Sequence, residues 1–337
     1  MKIMHVILSR GFAGSERSTA ESCNEQCKNH HVTLVVSRRH RRRGASIVDH
    51  IDPRIQIIEI SSQFFVRKNL TRILGEVKPD LIHCHLRRST RVVANIRPSA
   101  ATTSTLHIGV NSPDFLQMDG LVCNARWQVK GIPPNYKGKI FKANNSLTPY
   151  RRLNAEEIFT IRKELGVNPG TFVIGAVGRY HRSKAWDTLI EAFKTTKSDA
   201  VQLLFFGSGS QEKKLKGLAA NDSRIRFIGY RADIKEIYQA LDLLAVPSRF
   251  EPLPRVILEG MDAGTPVLAS DTGGCKELID DYGGFIFPTD DVAALTKALI
   301  SCIDSPPERH YPDLTRHHLA NANKDLENFY KVLIESK

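Results

Sequence analysis

The sequence contains no long hydrophobic run, although 41% of its 337 residues are hydrophobic. A membrane-spanning helix needs roughly 20 consecutive apolar residues, and no segment approaches that length. The opening apolar stretch, residues 3–8, is too short for the core of a secretory signal peptide, and no cleavage site follows it. We therefore expect a cytoplasmic protein without a transmembrane segment.

Cysteine is sparse and does not form a paired pattern. The six cysteines stand at positions 23, 27, 84, 123, 275 and 302. A secreted domain held together by disulfides would show more closely and regularly spaced cysteines. The spacing favours reduced, buried thiols of a cytosolic enzyme.

Two phosphate-binding motifs are also absent: the glycine-rich loop of dinucleotide-binding proteins and the metal-binding Asp-x-Asp. The first glycine loop, residues 9–15 (SRGFAGS), lacks G-x-G-x-x-G, so a dinucleotide-binding fingerprint is not supported. No Asp-x-Asp occurs anywhere in the chain, so a metal-bridged diphosphate is not indicated. A bound diphosphate would instead need cationic side chains and backbone amides.

Apolar runs typical of buried strands alternate with helical patterns along the whole chain, which predicts an α/β fold with doubly wound parallel sheets. The length is sufficient for two domains with separate cores. We expect an N-terminal domain at 1–148, a linker at 149–170, a second domain at 171–305 and a terminal segment at 306–337.

Basic residues exceed acidic ones by 48 to 36, a net charge of +12, and they are densest in Arg38–Arg43. This loop follows a predicted strand, residues 32–37, at the sheet edge where ligands bind in open α/β folds. It is either a solvated loop or a contact for anionic lipid headgroups or a phosphorylated acceptor. Nucleic acid is a weaker interpretation because no aromatic residues are interleaved for stacking.

The most informative stretch is Phe250–Asp262, which carries two carboxylates, Glu251 and Glu259. An apolar strand at 243–248 precedes it, and a helix at 256–261 follows with Pro254 in its first turn. A helix N-terminus offers free amides and a positive dipole end to a diphosphate, while a carboxylate binds vicinal hydroxyls. Two solvated glutamates are the more common interpretation of such a pair alone.

The segment from Arg226 to Leu278 resembles the C-terminal signature of the retaining glycosyltransferases of family 4, which have the GT-B fold. The similarity includes the Pro-Ser before Glu251, the AG-x-PV turn and the GG-x-x-E ending at Glu277. It implies two doubly wound Rossmann-like domains facing each other across a cleft, with the nucleotide sugar on the second and the acceptor on the first. The terminal helix, about residues 314–335, would cross back toward the N-terminal domain.

The resemblance also implies roles for residues of the second domain. The loop from Gly178 resembles a G-R-x-x-x-x-K element, in which Arg179 and Lys184 would clamp the diphosphate. Glu251 would hold the donor sugar and Glu259 the ribose. Gly207 would lie near the nucleotide base, and three backbone amides would face the phosphates, those of Leu253, Arg255 and Val256.

In the first domain, Gly14 resembles part of the family's G-G-x-E loop, with Ala13 in place of the first glycine. His83 and His85 match a P-D-x-x-H-x-H strand, and their shared face is compatible with a metal, but no cysteine or carboxylate ligand accompanies them. We expect no metal there. His107 resembles the histidine that family members place close to the donor sugar, where a structural histidine is the alternative.

The resemblance predicts a retaining glycosyltransferase that uses a nucleoside-diphosphate sugar of the UDP or GDP type, needs no cofactor and modifies a glycan or glycolipid hydroxyl. Assembly of lipopolysaccharide core or another cell-surface polysaccharide fits this activity, with peripheral attachment to the inner face of the membrane. The alternatives are another GT-B activity, such as a sugar-nucleotide epimerase or a phosphorylase, and a basic nucleic-acid-binding protein.

Overall fold

The computed structural model describes residues 1–42, 44–61 and 65–337 and divides into two compact units. Unit 1 comprises Met1–Ser146 and Thr315–Lys337, and unit 2 comprises Leu147–Leu314. Each unit is built around one parallel sheet, of seven and six strands respectively. The expected α/β architecture with two doubly wound sheets is therefore confirmed.

The sheet of unit 1 has the strand order β3-β2-β1-β4-β5-β6-β7, and all its pairs are parallel. Its strands are β1 (Lys2–Ile7), β2 (His31–Ser37), β3 (Gln56–Ile60), β4 (Leu81–His85), β5 (Ala101–Leu106), β6 (Gly120–Cys123) and β7 (Lys139–Lys142). The middle strands are almost entirely buried, although β4 carries two histidines and β5 carries four hydroxyl residues.

Helices cover both faces of this sheet: α1 (Gly14–Gln26), α2 (Val66–Val77), α3 (Leu86–Ile96), α4 (Arg126–Lys130) and the last helix of the chain, α12 (Leu319–Ile334). Before α12, residues Thr315–His317 form a 3₁₀ turn, so the helix begins five residues later than the sequence predicts. Four apolar residues of its predicted face are buried, namely Leu326, Phe329, Tyr330 and Leu333.

Unit 2 has the strand order β10-β9-β8-β11-β12-β13, again all parallel. Its strands are β8 (Phe172–Val177), β9 (Val201–Phe206), β10 (Ile225–Gly229), β11 (Leu243–Val246), β12 (Val267–Ser270) and β13 (Phe285–Phe287). Its helices are α5 (Ala155–Glu164), α6 (Trp186–Lys194), α7 (Glu212–Ala219), α8 (Ile234–Ala240), α9 (Arg255–Asp262), α10 (Gly273–Tyr282) and α11 (Val292–Asp304).

The strand order reverses between β1 and β4 in unit 1 and between β8 and β11 in unit 2. Ligands of open α/β sheets bind at such reversal points, beyond the carboxyl ends of the strands. All six cysteines are free thiols, and five are buried. Within the described ranges, no helix is both long enough and apolar enough to cross a bilayer.

Candidate active site

In unit 2, the loops after β8 and β11 carry Arg179, Lys184 and Glu251, which are predicted site residues. The two strands are hydrogen-bonded neighbours, with Leu243 opposite Ile174. Because parallel strands end at the same edge of a sheet, the loop with Arg179 and Lys184 emerges beside the loop with Glu251. The reversal point of this sheet therefore coincides with the predicted donor site.

Lys184 and Glu251 form an ion pair that is largely shielded from solvent. Nζ of Lys184 donates a hydrogen bond to Oε1 of Glu251, and the exposed fractions of the two side chains are 17% and 11%. The hydroxyl of Ser248 donates to the same carboxylate oxygen at 3.1 Å. The structure thus brings together the residue predicted to bind the diphosphate and the residue predicted to bind the sugar.

Arg179 lies at the same edge but differs from Lys184 in its environment. Its carbonyl oxygen accepts hydrogen bonds from Nε1 of Trp186 at 3.0 Å and from the amide of His181 at 2.8 Å. Its side chain is exposed and makes no hydrogen bond or ion pair with any residue that the structure describes. The backbone of Arg179 is therefore fixed, while no described residue neutralises its charge.

Arg249, which is not among the predicted site residues, connects the loop after β8 with the loop after β11. Its backbone amide donates to the carbonyl oxygen of Ser183 at 2.8 Å. Its guanidinium contacts Asp187 at 3.0 Å and Asp290 at 2.7 Å, and it also donates to the carbonyl oxygen of Arg182 at 2.8 Å. These contacts hold the turn that carries Lys184 against the segment that carries Glu251.

Gly207, predicted to lie near the base, stands where two loop backbones meet. A Cβ atom at Gly207 would lie 2.1 Å from the carbonyl oxygen of Gly178. Its φ angle of +140° also favours glycine. Only glycine therefore permits this approach of the loop after β9 to the loop after β8, and the predicted contact with the base remains a prediction.

The N-terminus of α9 lies directly after Glu251. Arg255 and Val256 open the helix, and Pro254 is its N-cap, one position before the first turn in which the sequence placed it. Leu253 is buried. The segment is fixed by α10, since the amide of Gly274 donates to the carbonyl oxygen of Glu251 at 3.0 Å.

Glu259 lies on the second turn of α9 and is 8% exposed. The hydroxyl of Tyr238, on α8, donates to its Oε2 at 3.1 Å. Glu259 lines a small cavity with residues of α8 and of the segment after Leu147, including Tyr150 and Lys235. Its carboxylate is thus held by a neighbouring helix, and its predicted role toward ribose remains a prediction.

In unit 1, His83 and His85 belong to a buried group of imidazoles that also includes His5. Nε2 of His5 lies 2.9 Å from Oε1 of Gln26, and Nδ1 of His5 lies 3.0 Å from Nε2 of His85. Because the Gln26 carbonyl oxygen only accepts, Nε2 of His5 carries the proton and its Nδ1 accepts from His85. His5 was not among the predicted site residues because it lies within a largely apolar strand.

Burial keeps this group uncharged. It lowers the pKa of His5 to about 4 and lowers the pKa of His83 and His85 well below the ordinary value. One nitrogen of each of the three lies within 4.8 Å of the others, which suits a metal ion. The hydrogen bonds of His83 to Tyr330 and Thr105 use its two nitrogens already, and the prediction of no metal stays a prediction.

His107 follows β5 and borders a cavity of about 60 Å³ together with His83 and His85. Burial lowers its pKa to about 4, against the opposing charge of Glu16. Nε2 of His107 and Nδ1 of His85 are buried without a hydrogen-bond partner among the described residues. Two unsatisfied nitrogens beside a polar cavity indicate room for a hydroxyl group or water.

Gly14 is the first residue of α1, and a Cβ atom there would meet no atom within 4 Å. Packing within the chain therefore does not require glycine at this position. Glu16 is a helix cap, because its Oε2 accepts hydrogen bonds from the amide of Ala13 at 3.0 Å and from the hydroxyl of Ser15 at 2.9 Å.

The basic loop contains fewer free charges than the sequence suggests. His40 is buried between Ser46 and Glu59, and Arg41 forms an ion pair with Asp49 at 2.6 Å. Three exposed arginines have no ion pair among the described residues, namely Arg38, Arg39 and Arg42. Arg43, also part of the predicted cluster, lies outside the described residues.

The chain is similar to known glycosyltransferases. Residues 157–316 match the profile of the glycosyl transferases group 1 family. The chain is 28% identical over 306 residues to an uncharacterized glycosyltransferase of Methanocaldococcus jannaschii, covering 78% of each protein. It is 29% identical over 162 residues, 43% of this chain and 45% of the other, to the lipopolysaccharide core biosynthesis mannosyltransferase LpsB of Rhizobium meliloti.

Among solved structures, Anabaena HepE in complex with UDP is similar with a TM-score of 0.76 and 19% sequence identity, covering 100% of this chain and 98% of that one. At this identity the similarity establishes the fold. The expected GT-B fold is therefore confirmed.

Proposed function

We propose that this chain is a member of the glycosyl transferases group 1 family, whose profile matches residues 157–316. It would transfer a sugar from a nucleoside-diphosphate sugar to a hydroxyl group of a glycan or glycolipid, with retention of anomeric configuration. The observation that carries the proposal is the Lys184–Glu251 ion pair beside the unpaired Arg179. In such a donor one oxygen links the anomeric carbon to the diphosphate. A phosphate-binding cation and a sugar-binding carboxylate must therefore be adjacent, as these two residues are.

Arg179 and Lys184 offset the negative charge that grows on the diphosphate as its bond to the anomeric carbon breaks. The electron pair of that bond leaves with the diphosphate. The acceptor oxygen forms the new bond on the same face, and its proton passes to an oxygen of the departing phosphate. No separate catalytic base is then required, and Glu251 stabilises the sugar as positive charge develops on its anomeric carbon.

The remaining residues of unit 2 bind the nucleotide. Glu259 accepts hydrogen bonds from the ribose hydroxyls, and its burial beside Tyr238 supports a fixed carboxylate. The base lies near Gly207. Backbone amides at the start of α9, those of Leu253, Arg255 and Val256, face the phosphates, where the helix dipole favours negative charge.

In unit 1, His107 would bind a hydroxyl group of the sugar, and the backbone at Gly14 would contact the substrate. The lowered pKa of His107 keeps its imidazole neutral near pH 7, so that it exchanges hydrogen bonds with a hydroxyl group rather than repelling a developing cation. The open space at Gly14 supports a close approach of substrate to the backbone.

The similarity to HepE, which was solved with UDP, supports a uridine donor over a guanosine one. The similarity to LpsB supports an acceptor in lipopolysaccharide-core or other cell-surface polysaccharide assembly. Such an acceptor would be met at the inner face of the membrane, and three exposed arginines supply a contact for anionic headgroups, namely Arg38, Arg39 and Arg42.

The proposal is tested by following the nucleoside diphosphate released from UDP- and GDP-sugars with and without a lipopolysaccharide-core oligosaccharide. A transferase releases it only when the acceptor is present, and the anomeric configuration of the product, read by NMR, matches that of the donor. An epimerase changes the donor sugar without acceptor, and a phosphorylase requires inorganic phosphate. Either of these outcomes overturns the proposal, as does an inverted product.

A further inference from the structure

Two arginines meet at the reversal point of the unit 1 sheet. β1 and β4 are paired there, with Ile7 opposite His85, and the segments that follow are tied by a hydrogen bond of 3.0 Å from the amide of Leu8 to the hydroxyl of Ser89. Arg10 lies two residues beyond Leu8, and Arg88 lies one residue before Ser89. The backbone therefore brings both residues to the crevice where a doubly wound sheet binds its ligand.

No residue that the structure describes neutralises Arg10 or Arg88. Arg10 and Arg88 are both partly buried, and neither side chain makes a hydrogen bond or ion pair with a residue in the described ranges. Burial, together with the nearby charge of Arg10, lowers the pKa of Arg88. This direction is the one expected for two like charges at the same edge of the sheet.

Two other arginines of unit 1 do form ion pairs, unlike Arg10 and Arg88. Arg91, on the next turn of α3, pairs with Asp114 at 3.2 Å, and Arg54 pairs with Asp52 at 2.9 Å. Glu16, the acidic residue at the start of α1, is engaged with Ala13 and Ser15. Those two arginines therefore have acidic partners, whereas no ion pair links Glu16 or another described acidic residue to Arg10 or Arg88.

The backbone beside Arg88 is strained as well. Leu86 has a φ angle of +67°, a left-handed conformation that bulky residues rarely adopt. This residue makes the turn from β4 into α3, and Arg87 and Arg88 follow it directly. Strain of this kind is retained mainly where it positions functional groups.

We propose that Arg10 and Arg88 bind an oxyanion, a phosphate or a carboxylate group, carried by the acceptor. This inference rests on the proposed function, because it identifies the chemical class of acceptor for that transferase. Guanidinium groups match both oxyanions through paired hydrogen bonds. The donor diphosphate is assigned to unit 2, to Arg179 and Lys184, so the charge of unit 1 is left for the other substrate.

The test measures binding by isothermal titration at constant ionic strength, with the protein first saturated with UDP. The probes are glucose, glucose 6-phosphate and glucuronate. The wild type is expected to bind at least one of the two anionic sugars roughly tenfold to a hundredfold more tightly than glucose, as charge-assisted hydrogen bonds imply. The tighter of the two names the group that the acceptor carries.

Arg10→Gln and Arg88→Gln should each remove this preference. Arg97→Gln, which removes one exposed charge at the opposite end of α3, should retain it. UDP affinity within twofold of the wild type in all three variants shows that they are folded. An unchanged preference in Arg10→Gln and Arg88→Gln, or no preference in the wild type, overturns the inference.

Two further outcomes separate this inference from the proposed function. If Arg10→Gln and Arg88→Gln weaken UDP binding instead, the arginines belong to the donor and the inference is wrong. If the wild type binds neither UDP nor GDP, the proposed function itself fails. Nucleotide binding without an anion preference overturns the acceptor assignment alone.

Discussion

Nζ of Lys184 donates a hydrogen bond to Oε1 of Glu251 across 67 residues of sequence. Each of these groups neutralises the other while the site is free of substrate, which makes a buried charge of either sign tolerable. A bound donor would place its diphosphate against Lys184 and its sugar against Glu251. Under the proposed function, the pair would mark the position of the bond to be broken.

Replacing Glu251 or Glu259 by glutamine is expected to change different kinetic parameters. Ribose does not change between ground and transition states, so Glu259→Gln should raise the donor KM, by about tenfold, with kcat nearly unchanged. Positive charge develops on the donor sugar, so Glu251→Gln should lower kcat by about a hundredfold. Steady-state kinetics at saturating acceptor distinguish the two, with the exposed Glu191→Gln as control. A change in KM alone for Glu251→Gln would show that its carboxylate only recognises the sugar.

Arg249→Met is expected to raise the donor KM by about tenfold. The variant loses the contacts to Asp187 and Asp290 that hold the turn of Lys184. Arg224→Met is the matched control, because Arg224 is also partly buried and pairs with Asp222, away from the two loops. It should lower the free energy of unfolding and leave KM unchanged. Equal KM values in both variants would assign Arg249 a purely structural role.

Acid is expected to destabilise the protein through its buried imidazoles. Burial lowers the pKa of His5 and His107 to about 4, whereas an unfolded histidine titrates near 6.5. Below pH 6.5 these histidines therefore bind protons in the unfolded chain but remain neutral in the folded chain. Stability is full above that pH and falls as the pH drops toward 4, by up to about 1.4 kcal/mol per pH unit for each imidazole.

Chemical denaturation between pH 7 and pH 5 measures this dependence. His107→Asn should make the loss of unfolding free energy less steep than in the wild type, since one of these protons no longer contributes. His310→Asn removes an exposed histidine and should leave the slope unchanged. Identical slopes for all three proteins would mean that His107 is not held neutral by the fold.

Replacement of Arg38, Arg39 and Arg42 by glutamine is expected to weaken binding to anionic vesicles, since each arginine near an acidic surface contributes about 1 kcal/mol. Sedimentation with phosphatidylserine vesicles at moderate salt measures the effect. The control removes three exposed charges near the amino ends of the unit 1 strands, at Lys78, Arg97 and Lys139. Equal binding of both triple variants would mean that the loop is merely solvated.

The sequence predicts strands such as β8 and β11 well, because parallel strands covered on both faces are often apolar throughout. Two strands at sheet edges were missed. β7 reads Lys-Ile-Phe-Lys with no buried residue, and β13 has three residues of which one is buried. Neither presents the long apolar run that marks an interior strand.

Contacts between distant residues also limited the prediction of the site from the sequence. Arg179, Lys184 and Glu251 were found through local motifs, but the meeting of Lys184 with Glu251 depends on the pairing of β8 with β11. Arg249 was missed because its carboxylate partners lie 62 and 41 residues away. His40 was counted with the basic residues of its loop, although it is buried and hydrogen-bonded to Glu59 of β3. Partners distant in sequence leave no local signal.

Thermal unfolding with UDP and GDP tests most directly whether unit 2 binds a nucleoside diphosphate through Arg179 and Lys184. A ligand at 100 times its Kd stabilises the folded state by about 2.7 kcal/mol. The wild type and Lys297→Ala, which removes an exposed charge on α11, should show the full rise in Tm. Arg179→Ala and Lys184→Ala should show a smaller rise at the same concentration, with turnover about a hundredfold lower. Equal rises in all four proteins, or none in the wild type, would contradict the account.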